Sequence, residues 1–172
     1  YKKDMSQFEA QKGVNVLYKK NETNDIFTLI YVFNTGTEND PALNLAFDYL
    51  SYLGTDKMSA EQIASEMYAI ACSFGLSAGT NQSWIEISGL SENMGKAMEI
   101  VEGLIAGAQP NEEILQNLKG DMIKSRADAK LNQSRCFGAL QRYMIYGSDF
   151  IRRTTLTDPA LQGLTSEQLL AK

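Results

Sequence analysis

Apolar residues form short strand-like runs in the first half of the chain and recur at helical spacing over most of the rest. Residues 26–33 form the strongest strand pattern, because all eight are apolar or β-branched. Since both parities of this run are apolar, we expect a central strand that is covered on one face and on most of the other. Residues 14–18 predict a shorter strand before it. Residues 72–78 and 84–88, joined by a turn at 79–82, predict two more strands.

Two helices are predicted between the second and third of these strands. The dipeptide Asp40-Pro41 favours an N-cap followed by proline in the first helical turn. Apolar residues then recur on one face until Gly54, a common helix stop. The second helix is expected to begin at Ser59, because Gln62 three residues later completes a capping box.

The second half of the chain is predicted to be mostly helical. A third helix begins near Glu92 and ends before Pro110, and a long helical stretch over residues 112–146 follows, with a kink near 130–134. Gly147 is expected to close it, and a short helix follows Thr165. Strands in consecutive pairs predict an α+β fold with a largely antiparallel, mixed sheet and helices packed on one face. With no internal repeat or linker, residues 1–172 are expected to form a single domain.

Composition and charge exclude several classes of function. The chain is 44% hydrophobic and 22% charged, has a net charge of -5 and lacks any basic stripe, so we expect no nucleic-acid partner. No apolar stretch is long enough to span a bilayer, and no signal peptide is seen. Basic side chains concentrate in the last third, which predicts either a solvated helix face or a docking face for an acidic partner. They are Arg126, Lys130, Arg135, Arg142, Arg152 and Arg153.

The cysteines and aromatic residues have simple structural interpretations. Cys72 and Cys136 are predicted to be buried free thiols, with a single disulfide between them as the alternative. The aromatic residues are predicted to belong to the core and the sheet face rather than to a ligand cage. They are Phe27, Tyr31, Phe33, Tyr49, Tyr52, Tyr68 and Trp84.

Residues 44–55, with the sequence NLAFDYLSYLGT, carry a family resemblance. They resemble the signature helix of the insulinase-like (pitrilysin) zinc metallopeptidases, in which active members carry H-x-x-E-H on a helix that ends in Gly-Thr. Residues 16–21 and 88–93 are similar to the second halves of large two-half bacterial members. The resemblance implies a metallopeptidase half-domain of the insulinase and mitochondrial-processing-peptidase type.

The zinc motif of that family is degenerate here. In active members, two histidines and a carboxylate hold Zn²⁺ and a glutamate acts as general base. The matching positions hold Leu45, Asp48 and Tyr49, and the chain contains no histidine. The third family ligand is a glutamate on the following long helix, where this sequence offers only Asp121 and Asp128. The resemblance therefore implies that this chain has no catalytic residue, no metal site and no other cofactor.

Ordinary structural roles also account for the residues at the three degenerate positions. Leu45 and Tyr49 are expected to pack their helix against the sheet, since leucine and tyrosine at i and i+4 have ordinary core spacing. Asp48 is expected to be a solvated or capping carboxylate, with a retained functional contact as the alternative. A serine or cysteine nucleophile activated by histidine is excluded, because no histidine is present.

The resemblance implies a non-catalytic role in zinc-dependent proteolysis. The expected partners are a catalytic half, which would hold the zinc, and an unfolded peptide enclosed between the two halves. A periplasmic or secreted bacterial location is expected on the same ground. The alternative is a stand-alone structural or assembly module, like the subunits of respiratory complexes that share this fold without peptidase activity.

Overall fold

Five strands and seven helices follow one another in the computed structural model, which describes residues 4–172. The strands are β1 (Ser6–Gln11), β2 (Val14–Tyr18), β3 (Ile26–Phe33), β4 (Cys72–Ala78) and β5 (Ser83–Leu90). The helices are α1 (Leu43–Ser51), α2 (Ala60–Ala69), α3 (Met94–Gly107), α4 (Glu112–Leu131), α5 (Gln133–Thr154), α6 (Asp158–Gly163) and α7 (Ser166–Leu170). The single domain predicted for residues 1–172 stays a prediction, and its first three residues lie outside the described part.

The strands form two antiparallel sheets rather than the one sheet that the sequence predicts. β1 and β2 pair as a hairpin, and a separate three-stranded sheet has the order β3-β5-β4. β1 was not predicted, because Phe8 and Ala10 are its only apolar residues and leave a weak alternation. The hairpin is exposed along almost its whole length.

The prediction that β3 lies in the centre of a sheet is wrong. β3 pairs with β5 on one side and has no strand partner on the other among residues 4–172. One of its faces is open, since Ile30 and Val32 are 50% and 58% exposed. The apolar residues on both faces of β3 are compatible with burial on both sides. Burial of the second face also requires another element to pack on it, and the residues of β3 do not determine whether one does.

Helices α2 and α3 cover the other face of the three-stranded sheet. Ile85 and Ile87 of β5 are 3% and 0% exposed and pack in one hydrophobic cluster with Met67 of α2 and Val101 of α3. Burial of this kind contributes roughly 1.5–3 kcal/mol for each large apolar side chain. The predicted α+β class with helices on one face of an antiparallel sheet is therefore confirmed.

A second hydrophobic cluster consists of helices and the segments between them. α1 contributes Leu45 and Tyr49, and α4, α6 and α7 contribute Leu115, Leu161 and Leu169. All five side chains are at most 3% exposed. This cluster lies on the helical side of the molecule and contains no strand residue.

Several helix boundaries follow their predicted signals. The capping box of Ser59 and Gln62 is present, and Asn111 caps α4 by accepting a hydrogen bond from the Ile114 N–H at 3.1 Å. α1 begins at Leu43 rather than at Pro41, because the Asp40 carboxylate accepts the Ala42 N–H at 2.9 Å and holds the chain in a turn.

The predicted long helix is divided into two. Asn132 ends α4 and caps α5, where its side chain accepts the Arg135 N–H at 3.0 Å. Gly147 adopts non-helical angles, φ 76° and ψ 174°, so it ends the first part of α5 as predicted, and a second helical part continues to Thr154. α6 was not predicted; Thr157 caps it and Pro159 lies in its first turn.

Candidate functional site

The positions that the resemblance equates with the family's metal ligands lie on α1, and two of them, Leu45 and Tyr49, belong to the helical cluster. Leu45 and Tyr49 are 1% and 0% exposed. The Tyr49 hydroxyl accepts the Asn111 N–H at 2.7 Å and lies 3.1 Å from the Asn111 carbonyl oxygen, to which it donates. The two side chains are core residues, as predicted, but they pack against α4, α6 and α7 rather than against the sheet. α1 itself lies against β4, but the cluster around these two side chains contains no strand residue.

These residues do not fit a zinc ion. The Leu45 side chain offers no donor atom, and the Tyr49 oxygen is already engaged with the backbone of Asn111. Across residues 4–172, no group of three or more histidine, cysteine, aspartate or glutamate side chains is placed to hold a metal ion. That Leu45, Asp48 and Tyr49 mark a lost catalytic centre stays a prediction.

Asp48 lies at the surface of the same helix. Its side chain is exposed, but the protein atoms on its inner side desolvate the carboxylate and raise its pKa above the ordinary aspartate value. No side-chain hydrogen bond or ion pair of Asp48 occurs among the described residues. The structure therefore places here an exposed carboxylate that the surrounding protein partly desolvates.

Asp121 and Asp128, the two acidic residues available on the long helix, line an open groove of about 420 Å³ where α4 meets α5. Lys124 and Arg135 line the same groove, so its charges have both signs. A balanced set of this kind is typical of a solvated helix surface and gives no acidic metal site.

The cysteines and the aromatic residues differ in part from their predictions. Both thiols are free; Cys72 is buried as predicted, but Cys136 is exposed. Tyr52 and Tyr68 are 57% and 87% exposed, so they belong neither to the core nor to the sheet. Tyr68 was predicted to face inward from helical spacing alone, and no element among residues 4–172 covers either ring.

The basic residues of the last third are partly used within the fold. Arg126 pairs with Asp158 and donates to the Leu156 carbonyl oxygen at 2.6 Å, and Arg153 pairs with Glu38 at 2.8 Å. α5 itself has no buried side chain. Its exposed apolar stripe consists of Phe137, Leu140, Tyr143 and Met144.

The open face of the three-stranded sheet has no covering layer among residues 4–172. Its side chains lie in rows across the strands: Val32 opposite Trp84 and Ile30 opposite Glu86. On the other side of β5, Gly75 lies opposite Glu86, and small serines flank it in β4. The face is therefore apolar along β3 and almost flat along β4.

Glu86 is the only charged residue in β3, β4 and β5. It is exposed, and none of the ion pairs or side-chain hydrogen bonds within residues 4–172 involves it. The sequence did contain a signal for this site, because polar residues alternate with Ile85 and Ile87 along β5. The pairing of Glu86 with Gly75 depends on strand register and had no local signal.

Comparison with solved structures relates this geometry to known proteins. The chain superimposes with a TM-score of 0.83 on the peptidase M16 inactive domain from Pseudomonas fluorescens, at 18% identity over 97% of this chain and 42% of that one. It superimposes on the periplasmic protease PqqL from Escherichia coli with a TM-score of 0.79, at 17% identity over 98% of this chain and 19% of that one. The fold is that of the insulinase-like M16 peptidases. The resemblance noted in the sequence is thus confirmed at the level of the fold.

A third match extends the same result. A putative M16-like peptidase from Alicyclobacillus acidocaldarius superimposes with a TM-score of 0.75, at 15% identity over 98% of this chain and 42% of that one. The chain spans less than half the length of each of these three matched structures. No protein-family model matches the sequence, and a comparison with curated proteins finds no match. In the described part of this M16-type domain, no helix is both long and apolar enough to cross a membrane.

Proposed function

We propose that the chain is a non-catalytic half-domain of an M16-type zinc metallopeptidase. The observation that carries this proposal is the state of α1, where Leu45 and Tyr49 fill the helical core at the two positions that imidazoles occupy in active members. The match to an M16 inactive domain supports it. The zinc ion and the cleavage of the peptide bond belong to a separate catalytic half.

The role of this half-domain is to form part of the wall of a peptide-binding chamber. The open face of the sheet supports this role, because it presents an uncovered apolar surface beside β4, an edge strand. An extended peptide can add to such an edge through its main chain and place alternate side chains on the face. A wall of this kind holds the substrate in position and excludes water without taking part in the bond chemistry.

The proposal includes a longer parent protein. The chain covers 19% to 42% of the matched M16 structures, so its partner half is proposed to lie in the same protein or on a second chain. The parent carries out zinc-dependent proteolysis of unfolded peptides in this account. Since PqqL is a periplasmic protease, a periplasmic or secreted bacterial location is part of the proposal.

The exposed stripe of α5 favours a second candidate function, a structural or assembly module without any peptide substrate. Phe137, Leu140 and Met144 are each at least 55% exposed on a helix that buries nothing. An apolar helix face of this kind is typical of an interface with another protein. The two candidates differ in what they bind: a chamber wall binds unfolded peptide, whereas an assembly module binds only its folded partner.

Elemental analysis together with a peptide-cleavage assay tests the proposed function. The purified chain is dialysed against a weak chelator, its zinc content is measured, and it is incubated with an unstructured fluorogenic peptide. We expect no stoichiometric zinc and no chelator-sensitive cleavage. About one zinc ion for each chain, retained through dialysis, would overturn the proposal.

A further inference from the structure

A shallow groove of about 340 Å³ runs along β4 on the open face of the sheet. Its floor is made of small residues, Ser73, Gly75 and Ser77, and its wall is made of Trp84 and Glu86 of β5. A Cβ atom added at Gly75 would meet no heavy atom within 4 Å, so the space above the middle of β4 is open. The groove is therefore bounded by the small residues of β4 on one side and by the larger side chains of β5 on the other.

The chemistry of the wall is specific at two positions. Trp84 offers a large aromatic surface that is 38% exposed, and Glu86 offers an exposed carboxylate without a described partner. Both side chains leave the same face of one strand, two residues apart, so they are separated by about 7 Å. An extended peptide places its own alternate side chains at the same spacing.

We propose that this groove binds an extended peptide that carries a lysine or arginine two residues from a large apolar residue. The inference rests on the proposed function and names the class of peptide that the wall prefers. The peptide main chain lies along β4, its basic side chain reaches Glu86, and its apolar side chain contacts Trp84.

Gly75 makes this arrangement possible. A peptide strand added beside β4 lies about 10 Å from β5, which is two strand spacings. A side chain at position 75 would stand between that peptide and Glu86, since the two positions are directly opposite in register. Glycine leaves the path clear for a long basic side chain, and the exposed Glu86 carboxylate offers that side chain a modest charge attraction.

Trp84 is the only tryptophan in the chain, so intrinsic fluorescence reports on this groove directly. The probe is a ten-residue synthetic peptide of serine and threonine that contains one Leu-Ser-Arg segment, and the comparison peptide has glutamine in place of arginine. We expect a saturable fluorescence change with the arginine peptide, an affinity about three- to fivefold lower for the glutamine peptide, and weakening by salt.

Two variants and a matched control locate the effect. Glu86→Gln is expected to remove the preference for arginine, and Gly75→Val is expected to weaken both peptides by filling the floor while circular dichroism stays unchanged. Glu99→Gln, which removes an exposed carboxylate on α3 behind the sheet, is expected to change neither affinity. Because Glu86→Gln alters only a surface charge, the test does not depend on whether the glycine variant folds.

Three outcomes would overturn the inference. They are equal affinity for both peptides, an arginine preference that survives in Glu86→Gln, and a concentration-dependent dimer that shields Trp84, seen by sedimentation, which would make a second copy the occupant. The failure of the inference is distinguishable from failure of the proposed function. A zinc-free chain that ignores the basic peptide contradicts only the inference, whereas a chain that retains zinc contradicts the proposed function whatever it binds.

Discussion

The two faces of the β3-β5-β4 sheet are built from the same strands but have opposite surroundings. On the covered face, Ile85 and Ile87 are almost inaccessible beneath α2 and α3. On the open face, the adjacent residues Trp84 and Glu86 reach solvent. Alternate residues of β5 therefore have different roles. The inward side chains stabilise the fold, and the outward side chains are available to a ligand.

The positions of the predicted degenerate motif, Leu45 and Tyr49, are buried like the covered face of the sheet, although they belong to the separate helical cluster. Leu45 and Tyr49 contribute apolar volume and one hydroxyl to the helical cluster, where the family's active members place metal ligands. Under the proposed function, loss of the metal site and gain of core packing are the same change. Mutations on the two sides should consequently have different effects, and the predictions below run from the largest effect to the smallest.

The largest effect is expected from restoring the family motif. Leu45→His, Asp48→Glu and Tyr49→His, made together with Ser125→Glu as a third ligand, would put two imidazoles into the helical cluster. Burying polar groups without partners and leaving cavities should destabilise the chain by on the order of 5 kcal/mol, measured by urea unfolding. We expect no peptidase activity, because no groups are in place to orient the imidazoles.

Asn44→His is the matched control for the restored motif, because Asn44 is exposed on the same helix. It should leave stability nearly unchanged. Chelator-sensitive cleavage by a cooperatively folded quadruple variant would show that the site is latent. The α1 positions would then not serve core packing alone.

The second prediction compares one isoleucine from each face of the sheet. Ile87→Ala on the covered face should cost about 2–5 kcal/mol of unfolding free energy, because it leaves a cavity beneath the helices. Ile30→Ala on the open face, where the side chain is 50% exposed, should cost less than about 1 kcal/mol. Equal losses in urea unfolding would mean that the open face is covered in solution.

Local signals predicted much of this fold. Residues 14–18, 26–33 and 72–78 form strands as expected, and the capping box at Ser59 and the break at Pro110 are present. These features depend on a few neighbouring residues. The division into two sheets and the edge position of β3 depend on which strands meet in space, so residues 26–33 alone could not give them.

The candidate site was predictable to a similar extent. The absence of histidine and the residues at positions 45, 48 and 49 could be read directly from the sequence. The helical packing of Tyr49 could not, because its hydroxyl bonds to Asn111, 62 residues away. In the same way, the outward position of Glu86 follows from alternation along β5, but the groove beside it requires the register that places Gly75 opposite.

The third prediction concerns Tyr31, which joins β3 to α3. Its hydroxyl donates to the Glu102 carboxylate at 2.7 Å, and desolvation together with that hydrogen bond raises the Tyr31 pKa to about 12. Tyr31→Phe should cost about 1 kcal/mol at neutral pH, by urea unfolding. Tyr68→Phe, which changes an exposed ring, should cost nothing measurable.

The contribution of Tyr31 should also depend on alkaline pH. The folded chain keeps this phenol protonated to a higher pH than the unfolded chain does, so its contribution is fully present below the unfolded pKa of about 10. It should decline as pH rises through 10 and be lost above about 12. A stability difference between wild type and Tyr31→Phe that stays constant from pH 8 to pH 11.5 would contradict this assignment.

The smallest effect is expected at Asp48. Because desolvation raises its pKa in the folded chain, the ionised carboxylate disfavours folding at neutral pH. Asp48→Asn should therefore stabilise the chain slightly at pH 7, by no more than about 0.5 kcal/mol, and should have no effect at acidic pH, where both states are protonated. Thermal unfolding at the two pH values checks this, with the exposed Asp56→Asn as control. A destabilised variant at pH 7 would contradict this, because it would show that the Asp48 carboxylate makes a stabilising contact within the folded chain.

The central claim is that the open face of the sheet, and not the helical side, meets the peptide. The most direct test is a titration of the ¹⁵N-labelled chain with the Leu-Ser-Arg peptide, followed by amide chemical shifts. The account predicts progressive shifts in β4 and β5, centred on residues 73–77 and 84–88, with the helical cluster around Tyr49 and Leu161 unchanged. Shifts confined to α1, α4 or α5, or no shifts at millimolar peptide, would contradict it.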